Sequence, residues 1–171
     1  LFLVPRDAAG LERFDARAFD KVPVSDLSFE DLRLPASALL GDVDLALDGV
    51  EKVIDQAIAA LCANAVGAME AVHRQTNEYM QTRTQFGQPI GRFQVLQHRM
   101  VDMYMELEQA RSLMYLATLK LDAETSERRR SASCAKAQVG KAGKFVGGQA
   151  VQLHGGMGMT DDLSVSHYYK H

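Results

Sequence analysis

The chain has 171 residues, 47% of them hydrophobic and 24% charged, which suits one globular domain with a piece of a second. Its formal net charge of -3, with no long run of Lys or Arg, excludes the basic field that nucleic-acid binding needs. No uninterrupted apolar run reaches the roughly 18 residues of a membrane span, and the first residues lack the charged-then-apolar order of a signal peptide.

In chain order, residues 1–4 are strand-like, and residues 25–34 carry Leu27, Phe29 and Leu32 in imperfect alternation between turn-forming Asp and Pro. Two or three such strands cannot make a stable sheet alone. Residues 1–42 are therefore expected to be the end of a β-domain whose other strands lie elsewhere, as though the chain were cut from something longer. From Asp44 the period changes to helix. Leu47, Val50, Ile54, Ile58, Leu61, Ala65, Ala68 and Val72 recur at steps of three and four. Gly87-Gln88-Pro89 stops this helix. A second stripe follows in Phe93, Leu96, Met100, Met103, Leu107, Ala110, Met114, Ala117 and Leu121. The charged, Ser-rich residues 122–131 separate it from a third, carried by Ala132, Ala135, Val139, Ala142, Val146, Gln149 and Leu153. Asp161 and Asp162 suit the first turn of a short fourth helix. The expected fold is mainly α: residues 43–171 as an up-down four-helix bundle, three long helices and a short fourth, preceded by a few β-strands of an incomplete β-domain.

Cys62 and Cys134 lie in helix-patterned segments without metal-ligand spacing, so both read as small core residues of a cytoplasmic protein in a reducing compartment. Arg128-Arg129-Arg130 reads as a solvated inter-helix loop. His167 and His171 stand four apart but lack a third ligand, so no metal site is expected. No nucleophile elbow or catalytic triad spacing is present.

Two clusters combine groups that could bind a ligand. Residues 82–90, Thr-Arg-Thr-Gln-Phe-Gly-Gln-Pro-Ile, join a fixed charge, amides, an aromatic ring and a turn, and an Arg can hold a phosphate through two parallel hydrogen bonds. An Arg ending a helix also serves the helix dipole. Residues 152–158, Gln-Leu-His-Gly-Gly-Met-Gly, let bare backbone approach another group, although helix capping explains Gly155 equally well. The glycines follow a helix instead of opening one, so this is not a Rossmann fingerprint.

In this order and at this separation, the two clusters resemble the signatures of the acyl-CoA dehydrogenase family. Leu1-Phe2-Leu3-Val4-Pro5, Phe29-Glu30-Asp31 and Pro35-Ala36 are similar to the end of that family's middle β-domain. The resemblance implies a flavoprotein in which Arg83, Gln85, Phe86 and Gln94 meet the pyrophosphate and adenosine side of FAD, with Gln152, Gly155 and Gly156 facing the same cofactor. It further implies an acyl-CoA substrate, electron-transfer flavoprotein as redox partner, and a homo- or hetero-oligomer in which this bundle binds FAD held chiefly by a neighbouring subunit. The family's catalytic base is a Glu following the last segment present here, or in a minority a Glu at the position of Ala57, with an Arg at that of Ile58. Neither residue here can serve, so the resemblance identifies no catalytic residue in this chain and keeps open a catalytically silent subunit that completes a partner's flavin site.

Overall fold

The computed structural model describes residues 1–18 and 22–170. They fall into two compact units, Leu1–Lys52 and Val53–His171.

In the first unit, β1 (Leu11–Arg17) pairs antiparallel with β2 (Pro23–Phe29), Leu11 opposite Phe29 and Arg17 opposite Pro23. Residues 1–4, expected as a strand, contribute only an isolated bridge from Phe2 to Leu39. The first strand lies later, where Glu12, Arg13, Asp15 and Arg17 hide the alternation. The second ends at Phe29, short of residue 34, because Asp31 takes a left-handed turn at φ 48°. Asp15 joins the strands: the Ser25 hydroxyl donates to it at 2.6 Å and Arg13 pairs with it at 2.6 Å. The Ser25 hydrogen bond holds the Asp15 carboxyl below its ordinary range against desolvation, with Arg13 and Arg6 adding to it.

The rest of the chain is helical: α1 (Leu47–Thr82), α2 (Gln94–Leu119), α3 (Thr125–His154) and α4 (Ser164–Lys170), the first two joined by a short hairpin of β3 (Thr84–Gln85) and β4 (Gln88–Pro89). Cross-helix pairs give the directions. Arg99 meets Gln149 while Glu106 meets Gln138 and Lys141, so α2 and α3 run oppositely. Asp55 meets Arg128 while Tyr79 meets His154, so α1 and α3 run the same way. The path is up-down-up, as expected. The core centres on Met103, Leu107, Val72 and Val146, with Ala110, Ala135 and Ala142 fully buried where helices approach closely.

The stripe expected on α3 is buried at every position but Gln149, which is half-buried as the acceptor of Arg99, and of the α2 stripe Met100, Met103, Leu107, Ala110 and Ala117 are buried while Phe93, Leu96, Met114 and Leu121 are half-buried. That of α1 is not buried as expected. Ile54 and Leu61 are exposed, and the buried row is Asp55, Ala59, Cys62, Val66, Met69, Val72, Thr76 and Met80. By length and composition α1 could cross a membrane, with mean hydropathy 1.2 over 18 residues, of which 28% are buried.

Three further expectations are corrected. The Arg run is no solvated loop, since α3 begins at Thr125 and Arg128 is buried, its Nε donating to Asp55 Oδ2 at 2.9 Å. Cys62 is buried, which pushes its thiol up, but Cys134 is exposed, because it lies between the buried positions Ala132 and Ala135 on the opposite arc of α3. Asp161 and Asp162 precede α4 instead of opening it. Among the described residues no group of His, Cys, Asp and Glu could hold a metal; His171 lies outside them.

Candidate functional site

The C-terminal ends of α1 and α3 lie at one pole of the bundle, and a cleft of about 380 Å³ opens between them and the start of α2. The chain prepares each wall differently. At the end of α1, Phe86 and Gly87 both take positive φ, 52° and 80°, as a two-residue type I′ turn requires, and the turn folds the chain back so that Ile90 N–H donates to Arg83 O at 2.9 Å. Arg83 and Gln85 are thereby set on the cleft rim. Gln85 lends its amide to Thr84 O at 2.7 Å.

At the end of α3, Gly155 terminates the helix at φ 60°, ψ -140°, a conformation closed to side-chain-bearing residues, and presents bare backbone to the cleft beside Gln152. Gly158 is needed for packing: a Cβ there would come within 2.6 Å of Val151 O. The floor is apolar, formed by Ile90, Val95, Leu96 and Leu153.

Arg83, Gln85, Gln152 and Gly155, named from the sequence, therefore share one cleft although about seventy positions separate the two clusters. Phe86, Gln94 and Gly156 do not line it. Phe86 stands at the hairpin tip, 91% exposed, edge-on to Phe93 with ring centroids 6.1 Å apart. Two cleft residues, Arg99 and Tyr79, lie outside both clusters, and His154, inside the second, is not singled out by the sequence. Arg99, held by Gln149 at 2.7 Å, belongs to neither motif. Tyr79 and His154 stack at 4.4 Å, and nothing in sequence pairs residues so far apart. Among the described residues no carboxylate lines the cleft. Two guanidiniums, two amides and open backbone over an apolar floor form a site for an anionic ligand with polar edges and apolar body.

A helical domain with this cleft belongs to a known class. Residues 49–171 match the family profile described as acyl-CoA dehydrogenase, C-terminal domain, and the chain belongs to that family. It is 28% identical over 172 residues to the mitochondrial short-chain specific acyl-CoA dehydrogenase of Sus scrofa, covering 99% of this chain and 42% of that protein. Among solved structures it is similar to one described as PigA with FAD and proline, with TM-score 0.92 and 27% identity, covering 99% of this chain and 45% of that one. It is also similar to the ChsE4-ChsE5 complex from Mycobacterium tuberculosis, with TM-score 0.85 and 26% identity over the same shares. The chain thus spans less than half the length of these relatives.

Proposed function

We propose that this chain supplies the FAD-contacting helical domain of a flavin-dependent acyl-CoA dehydrogenase that introduces an α,β double bond into an acyl-CoA thioester. The observation that carries the reading is the convergence of Arg83, Gln85, Gln152 and Gly155 on one cleft that no carboxylate among the described residues lines. These groups fit a dinucleotide: the guanidinium of Arg83 suits a phosphate, the amides suit polar edges, and bare backbone at Gly155 permits close approach. Bound FAD would supply the two-electron acceptor for the dehydrogenation, and electron-transfer flavoprotein the onward acceptor. Phe86, Gln94 and Gly156 are assigned to the same cofactor, outside the cleft proper.

The base that removes the α proton is assigned elsewhere, on another segment or a partner, because Ala57 and Ile58 of α1 carry no ionisable group. That same feature, with the likeness to a two-protein complex, favours as second reading a silent subunit that completes a partner's flavin site. In either case the chain works in an oligomer. A reducing, cytoplasmic setting suits its free Cys62 and Cys134.

The test is cofactor retention by the assembled protein. Arg83→Ala should remove a charge-assisted hydrogen bond of about 1.5–3 kcal/mol and weaken FAD binding roughly ten- to a hundredfold. Arg130→Ala, an exposed position on α3, is the control; equal retention by both variants would remove the cleft from the flavin site.

A further inference from the structure

The place of Arg99 in the cleft follows from the spacing of its neighbours. On α2 it stands three and four positions after Leu96 and Val95, which both line the cleft. On α3 its partner Gln149 stands three and four positions before Gln152 and Leu153, which line it too. Residues three or four apart share a helix face. The 2.7 Å hydrogen bond that Arg99 Nη1 donates to Gln149 Oε1 therefore ties α2 to α3 at the inner end of the cleft.

The chemistry of that partner decides what the guanidinium is for. Arg111 of α2 and Arg128 of α3 also bridge helices, and both do so to carboxylates, Glu70 and Asp55 of α1. Such pairs cancel the charge. Half-buried Arg99 is given a neutral amide instead, and among the described residues it makes no ion pair. Asp102, three positions further along α2 and within reach by spacing, stays exposed and unpaired with it. A guanidinium is always protonated, so its full positive charge is left in the cleft wall.

Across the cleft, Arg83 at the end of α1 likewise makes no ion pair among the described residues. Two uncancelled cations in one cleft repel each other, and partial burial weakens the screening between them. A ligand with one negative centre relieves only part of that repulsion. A diphosphate brings a charge for each guanidinium.

We propose, resting on the flavin reading of this cleft, that Arg99 is its second anion-holding group, sharing the diphosphate of the dinucleotide with Arg83. Gln149 is the positioning residue. Being neutral, it fixes the guanidinium without cancelling the charge that the ligand needs.

The experiment titrates the assembled apoprotein with FAD by flavin fluorescence and follows thermal unfolding of the same samples. Arg99→Gln keeps a donor for Gln149 but loses the charge, so binding should weaken about tenfold or more with Tm little changed. Gln149→Glu turns the tie into an ion pair, so Tm should hold or rise while FAD binding weakens several-fold. A role confined to holding α2 on α3 gives the opposite pattern, a lower Tm in Arg99→Gln and unchanged affinity in both variants. That result overturns the proposal, provided that Arg83→Ala still loses FAD. Unchanged FAD affinity in Arg83→Ala instead defeats the flavin reading, and the proposal with it. Inorganic pyrophosphate should displace FAD from the wild type more effectively than inorganic phosphate and lose that advantage in Arg99→Gln; equal competition by the two anions in the wild type overturns the shared diphosphate. Should Arg99→Gln fail to assemble, Gln149→Glu decides alone, since its tie between the helices is the stronger one.

Discussion

Asp55 and Arg128 face each other inside the bundle with side chains 9% and 8% exposed, at the end opposite the cleft. A buried ion pair gains little net stability, because desolvating two charges offsets most of their attraction. Removing one partner is another matter, since the survivor is left charged, buried and alone. Asp55→Ala is therefore expected to cost about 3–5 kcal/mol, a fall in Tm of roughly 6–20 °C for a domain of this size. The double replacement Asp55→Leu with Arg128→Met should recover most of that loss. Thermal unfolding of the two variants decides it; a double variant as unstable as the single would mean that the pair contributes more than charge neutrality. Arg128 illustrates why composition misleads at this scale. Beside Arg129, Arg130, Glu124 and Glu127 it looked solvated, and only its partner 73 positions earlier makes it a core residue.

The β3–β4 hairpin is the element on which the site most visibly departs from local preference. A left-handed backbone costs an ordinary L residue about 1–2 kcal/mol, yet Phe86 holds φ 52° and leaves its ring in solvent. Strain and exposure together mark a residue kept for contact with something outside the chain. Phe86→Asn should relieve part of the strain, raising the denaturation midpoint by an amount equivalent to about 0.5–1 kcal/mol, while FAD retention falls. Loss of both stability and retention would show that the ring supports the fold instead. The elements themselves were readable where one stripe was unambiguous. Met100, Met103, Leu107 and Ala110 of α2 fell where the spacing put them. In α1 the larger residues, Ile54 and Leu61, were the natural choice for the core, but the helix buries Ala59, Cys62 and Val66, smaller groups that allow close packing, together with the unexpected Asp55. The motifs gave the cleft's Arg, amides and glycine. They could not give Tyr79 or Arg99, which reach the cleft only through helix packing.

Taken whole, the helical unit carries an apolar surface that its own core does not use. On α2, Val101 and Met105, and one helical stretch later Leu116 and Leu119, lie on the side away from Met103 and Leu107 with Glu108 and Ser112 between the two pairs, and are 55%, 49%, 40% and 80% exposed. An α-helix that is apolar on two opposite sides is an element packed on both of them. Within the proposed oligomer these two apolar pairs would suit a subunit contact. Covering one such side chain contributes about 1.5–3 kcal/mol, so placing carboxylates at two of them should weaken association roughly a hundredfold or more. Sedimentation of the assembled protein carrying Val101→Asp and Leu116→Asp should show smaller species at concentrations where the wild type stays associated, with helical circular dichroism unchanged because neither side chain enters the core. An unaltered sedimentation profile would free α2 from the interface and leave its outward row without a role in assembly. The cleft gives a second readout of the same event. If a neighbouring subunit holds most of the FAD, dissociation at α2 should release cofactor even though Arg83, Gln152 and Gly155 are untouched.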